Sequence, residues 1–175
     1  MDEKSFGFTT PDPRQLSNGV RLTDDRLMRQ RRRVVSLALT AAGCMGLIAL
    51  YQIGAIKHLP EPPLPLLDAE KVDASDEAYA RLSVGDAFIG LTSYSVTALL
   101  AAMGGPRRHR SDRWLPWALG AKLAFDAAQA AKLTVDQWTK HRAFCSWCLV
   151  AAGATFAAVP AAWPELRATL DGRDH

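Results

Sequence analysis

The sequence predicts an all-α fold: an integral membrane four-helix bundle with a short interfacial helix in its first outer loop. Three observations predict it. Long uncharged blocks hide behind a mean hydropathy of −0.04, the blocks are long enough to cross a bilayer, and arginines crowd alternate connections between them. By average alone, 175 residues with 49% hydrophobic and 22% charged positions and a net charge of +3 would suit one soluble domain. The segregation of those residues decides otherwise. No G-x-G-x-x-G fingerprint, phosphate loop or H-E-x-x-H occurs, which removes the usual sequence support for nucleotide-dependent chemistry and zinc hydrolysis.

Residues 1–33 mix Pro11, Pro13, Asn18 and Gly19 with charges of both signs and show no clear period, so they read as a loosely ordered cytoplasmic tail. Residues 34–56 form 23 positions without a charge; at ~1.5 Å per residue they cover the ~30 Å hydrocarbon core. The polar stretch before this run and the lack of an A-x-A-like site after it argue for a retained span over a cleaved signal peptide. A second span, 87–105, ends at a glycine pair before Pro106. The third, 114–131, contains Lys122 and Asp126, which lie i,i+4 on one helix face and pair inside the bundle, with Gln129 on the same face. A fourth, 144–162, tolerates Pro160 near its end and places Trp163 at the interface. Residues 34–165 thus make the membrane domain, and 166–175 a second cytoplasmic tail.

Charge sets the orientation. Arg26, Arg29, Arg31, Arg32 and Arg33 precede the first span, and Arg107, Arg108, Arg110 and Arg113 follow the second; both clusters belong on the cytoplasmic side of a bacterial inner membrane. The arginines serve topology or anionic lipid, not nucleic acid. Residues 57–86 carry Glu61, Asp68, Glu70, Asp73, Asp76, Glu77 and Asp86 against Lys57, Lys71 and Arg81, and face outward. In that loop Pro60, Pro62, Pro63 and Pro65 give a stiff lead-out, after which Asp73 or Ser75 caps a short helix over 73–82, with Tyr79 and Leu82 toward the membrane.

Four spans place both termini inside and Cys145 and Cys148 at the outer start of the last helix. Cysteines at i and i+3 share a face and close a disulfide with local adjustment. A helix N-terminus favours the thiolate, and His141 and Arg142, with Lys140, add positive charge beside it. By depth, Cys145 exchanges with a soluble extracytoplasmic thiol protein, and Cys148, one turn deeper, faces a lipid-soluble quinone. The alternatives are two packing thiols or a zinc site, which needs four ligands. Cys44 sits 12 residues before the exit of the first span, roughly 18 Å deep, and reads as packing. The histidines form no metal-ligand spacing, so no metal is expected. No His follows C-x-x-C, which removes a haem site.

These residues, above all HRAFCSWCLVAAGATFAAVPAAWPE and the outer-loop segment VDASDEAYARLSVGDAFIG, resemble the vitamin K epoxide reductase family of membrane thiol oxidoreductases. The resemblance covers most of 34–165. It implies a quinone of ubiquinone or menaquinone type held beside Cys148, with Cys145 its redox partner, and an extracytoplasmic thioredoxin-like protein as electron partner; the family's quinone-holding polar residues have no clear counterparts, and Tyr94 and Trp147 are the candidates for lining the pocket. Family members commonly carry a second cysteine pair in the first outer loop; residues 57–86 contain none, and the position four after Cys148 is Ala152. Loss of that relay motivates a rival reading, a non-catalytic membrane assembly or accessory protein that keeps the four-helix scaffold.

Overall fold

The computed structural model describes residues 12–75, 79 and 85–172. The order of elements is α1 (Pro13–Leu22), α2 (Arg26–Gln52), α3 (Ala69–Asp73), α4 (Asp86–Ala102), α5 (Arg108–Ser111), α6 (Trp114–Asp136), a π-helical turn (Gln137–His141) and α7 (Ser146–Asp171). Within the expected tail, α1 forms because Asp12 accepts from the Arg14 N–H at 3.1 Å and a proline stands in the first turn. None of its residues is buried. Asp25 caps α2 in the same manner, accepting from the Met28 N–H at 2.8 Å, so this helix starts eight residues before the uncharged run.

Helix α2 packs along α4 and α7, and α7 along α6; α4 and α6 touch less. The seams use small side chains. Ala41 and Cys44 of α2 meet Ala151 and Ala154 of α7, and Val34, Ala101, Leu119, Leu123, Ala158 and Ala161 fill the middle of the bundle. Such residues let backbones approach closely, which is how helices associate in lipid, where burial of apolar area gives little drive. Outward faces are apolar as well: Leu39, Leu99, Phe125 and Trp163 are all more than half exposed. Among the described residues, α2 and α7 are long and apolar enough to cross a bilayer, and α4 is a shorter apolar helix. Helix α6 keeps its mid-helix charges inside: Lys122 pairs with Asp126, which also accepts from Ser93 Oγ at 3.0 Å and Thr97 Oγ1 at 2.7 Å on α4.

Two of the arginines that mark topology also close the bundle. Arg31 is 4% exposed and donates to the carbonyls of Ala101, Ala102, Met103, Gly104 and Gly105, closing the end of α4. Arg108, fully buried, donates to Leu100, Ala101 and Met103 carbonyls and makes a bidentate pair with Glu165 at 2.8 and 2.7 Å. A helix C-terminus offers unpaired carbonyls and negative potential, and a guanidinium satisfies both. Glu165 and Thr169 are buried at this end, and α7 runs through Pro160 and Pro164 to Asp171. Arg113 donates to the Thr169 and Gly172 carbonyls there.

Residues 57–75 lie at the opposite end. Asp68 caps a short helix that precedes the expected one: its Oδ1 accepts from the Lys71 N–H at 2.9 Å, and Asp73 is the last residue of α3. An Asp whose carboxylate turns back to the N–H three residues on can start a helix, whereas the Asp73 side chain points into the bundle. Of the helix expected over 73–82, residues 76–78 and 80–82, Leu82 included, lie outside the described residues, and so does the start that Asp73 or Ser75 is expected to cap. Tyr79 is exposed and donates to the Gln52 carbonyl at 3.0 Å.

Candidate redox site

Residues 60–68 strap the start of α7. Backbone bonds from the Phe144 N–H to the Leu66 carbonyl (2.8 Å) and from the Asp68 N–H to the Phe144 carbonyl (3.0 Å) form a short parallel bridge. Glu61 then caps two helices at once, accepting from the Ala69 N–H at 2.6 Å and the Ser146 N–H at 2.8 Å. The Trp147 indole donates to the Pro60 carbonyl at 2.9 Å. Under this strap Cys145 is completely buried; its N–H donates to Gln137 Oε1 at 3.0 Å and its Sγ accepts from the Cys148 N–H at 3.3 Å. Cys145 is therefore the N-cap of α7, where a sulfur anion meets helix N–H groups and dipole together.

Cys148, one turn on, is partly exposed to a cavity of about 380 Å³. Its thiol donates to Asp73 Oδ1 at 3.7 Å, and the Asp73 carboxylate and both sulfurs lie within 4.8 Å of one another. That is one atom short of the four a closed zinc site takes. Asp73 is 4% exposed, and its Oδ2 has no hydrogen-bond partner. Burial, with the nearby Asp86 and Glu61 carboxylates, pushes its pKa up to about 6, against the pull of the two thiols. Gln52 holds it in place, donating through Nε2 to the Asp73 carbonyl (3.2 Å) and to Asp86 Oδ1 (2.9 Å) while Oε1 accepts from the Ala87 N–H.

Of the residues singled out in the sequence, Cys145, Cys148 and Tyr94 come together at or beside the cavity, which Tyr94 lines with its hydroxyl 3.3 Å from Thr155 Oγ1. His141 lines it too. Arg142 turns outward at φ 51°, its guanidinium 5.2 Å over the Trp138 ring, which in turn stacks on Phe144. Trp147 packs between the strap and the α2–α7 seam. Lys122 and Asp126 meet as an ion pair, with Asp126 at the inner wall of the cavity. Sequence reasoning missed Asp73, Glu61 and Gln52 as parts of this site. The only available signal was a carboxylate-rich outer loop, and nothing in it distinguished these members from solvated ones.

The model for the vitamin K epoxide reductase family matches residues 32–163. The chain belongs to this family. No curated protein and no solved structure matches it. Membership makes the protein a four-helix integral membrane oxidoreductase, and the adjacent sulfurs of Cys145 and Cys148 supply the thiol pair that such chemistry requires. The family uses a quinone, and the cavity fits one: its volume lies in the range of ~300–1,000 Å³ typical of small-molecule sites. Met45, Ile48, Ile89, Phe125 and Ala151 give it apolar walls. Asp73 and Tyr94 are among the polar residues on its walls.

Proposed function

We propose that this protein passes two electrons between an extracytoplasmic thioredoxin-like thiol protein and a ubiquinone- or menaquinone-type quinone, with Cys145 and Cys148 alternating between dithiol and disulfide. The observation that supports this most is the position of Cys148: one sulfur on an apolar, ring-sized cavity, the other at a helix N-cap one turn away. When bound, the quinone accepts two electrons and two protons. The chain's own residues do the rest. Met45, Tyr94 and Phe125 bind the ring, the α7 N-terminus faces the Cys145 sulfur, His141 lines the wall, and Arg142, over Trp138, brings positive charge to the turn before α7. Trp147 anchors the strap. Lys122 and Asp126 hold α4 to α6 behind the cavity.

This reading sets residues 34–165 across a bacterial inner membrane with both termini cytoplasmic. The strap end of the bundle then faces outward, where disulfide chemistry persists. Because Cys145 is sealed under the strap, a protein partner reaches it by displacing residues 60–68; the loop carries no cysteine to relay electrons in its place. Cys145→Ser and Cys148→Ser should each abolish thiol-dependent quinone reduction in membranes, and turnover retained in both variants would falsify the assignment.

The complete burial of Cys145 favours a second reading, a non-catalytic assembly or accessory protein in which the thiols only pack. Alkylation of intact membranes before and after a mild reductant separates the two: a static pair shows unchanged labelling, whereas a cycling pair gains two labels.

A further inference from the structure

On the chain's own chemistry, a thiol that is oxidised must lose its proton to something. The Cys145 sulfur sits at the N-cap of α7 and accepts the Cys148 N–H. Cys148 has the opposite setting. Its thiol donates to the Asp73 carboxylate, beside which the Cys145 sulfur also lies, and the other charged or titratable groups facing that carboxylate or the cavity are Asp86, Glu61, Asp126, Lys132, Asp136, Lys140 and His141. An anion beside a thiol disfavours its thiolate. Either Asp73 is a liability at the site or it does the proton's work.

We propose that Asp73 is the proton acceptor and donor for Cys148, taking the Sγ–H proton onto its carboxylate when the pair is oxidised and returning it when the pair is reduced. This rests on the redox reading of the C-x-x-C pair given above. Three features carry it. The thiol donates straight to Asp73 Oδ1. Asp73 itself lines the cavity, and Oδ2 of the same carboxylate is buried with no hydrogen-bond partner, so the carboxyl keeps an oxygen free of other donors. Gln52 fixes the backbone that carries it. In the oxidising direction the Cys145 thiolate and the Cys148 thiol lose two electrons to the acceptor and form the S–S bond. The Cys148 proton moves to Asp73 and from there to the reduced acceptor, whose second proton comes from solvent. The reverse direction uses the same atoms. A pKa of about 6 leaves the carboxylate ionised and ready to accept at neutral pH.

The test needs no quinone. Purified protein in detergent is reduced, and two rates are measured at pH 7 for the native chain, Asp73→Asn and Asp73→Glu. One is iodoacetamide alkylation of Cys148 in a Cys145→Ser background. The other is closure of the Cys145–Cys148 disulfide by diamide, a small oxidant that takes up two electrons and two protons, read by mass. With the anion gone, alkylation in Asp73→Asn rises about tenfold. Closure falls by about 10²-fold, the usual reach of a positioned base, and Asp73→Glu recovers part of it. Closure that is unchanged, or that rises in step with alkylation, overturns the proposal and leaves Asp73 as a charge only. If native protein forms no Cys145–Cys148 disulfide at all, the redox reading itself fails, which is a separate result from a disulfide that closes equally fast without Asp73.

Discussion

Replacing Asp73 by asparagine should stabilise the fold above neutral pH and leave it nearly unchanged in acid. The carboxyl is 4% exposed and its pKa stands at about 6 in place of 3.8, chiefly because burial penalises the charged form. In the unfolded chain the proton leaves near the ordinary value, whereas the folded chain holds it until about pH 6. Between these points the native state binds more protons than the unfolded one. Stability therefore falls as pH rises through the window, and the loss is complete above about pH 7. A difference of that size corresponds to about 3 kcal/mol. For a chain of this length ~1 kcal/mol moves the melting temperature by about 2–4 °C, so Asp73→Asn should melt about 6–12 °C higher at pH 8. Near pH 3 the gap should close, because asparagine imitates a protonated carboxyl. Thermal unfolding of both proteins in the same detergent from pH 3 to 8 reads this directly. Other titrating groups, such as Asp136, held low by Lys132, and His109, held low by burial, are common to both and cancel. A gap that stays flat with pH, or a native chain that gains on the variant as pH rises, would refute the reasoning. It would mean that the buried carboxylate has a cationic partner.

Three further outcomes follow from the bundle. Glu165→Ala leaves Arg108 charged and fully buried without its bidentate partner, and should lower stability by about 3–5 kcal/mol, reduced by the carbonyls that Arg108 keeps; chemical denaturation in detergent measures it, and Glu165→Gln should lose about half as much. Lys122→Met should cost about 1–3 kcal/mol by leaving Asp126 to Ser93 and Thr97 alone, while Lys122→Met with Asp126→Leu should recover most of the loss, since removing both charges is often neutral; a double-mutant cycle on melting temperatures decides. Gln52→Ala should cost about 1–3 kcal/mol and slow disulfide closure as well, because it frees the backbone of Asp73; a loss of stability with unchanged closure would detach Gln52 from the site.

The features legible in the sequence are those whose signal is local. Uncharged runs give α2, α4 and α7; the i,i+3 spacing gives the Cys145–Cys148 approach, and the i,i+4 spacing gives the Lys122–Asp126 pair. The rest depends on contacts between distant segments. Glu61 reaches Ser146 across 85 positions and Cys148 meets Asp73 across 75, and neither carries a period or motif to mark it. The packing role of two arginines was hidden for a related reason. Arg31 and Arg108 look like their solvated neighbours Arg32 and Arg107, yet the end of α4 takes them inside, since a helix terminus in a bundle must find donors somewhere. Asp68 and Asp73 show the same limit within one loop. Each suits a helix cap by residue type, and residue type does not tell that the Asp68 carboxylate caps α3 while the Asp73 carboxylate faces the sulfurs.

The account stands or falls on whether Cys145 and Cys148 change state together when a membrane quinone is supplied. Reduced membranes containing the protein, given an oxidised quinone and then alkylated, should lose two cysteine labels per chain, at Cys145 and Cys148, while Cys44 keeps its own. Equal labelling of both with and without quinone would contradict it.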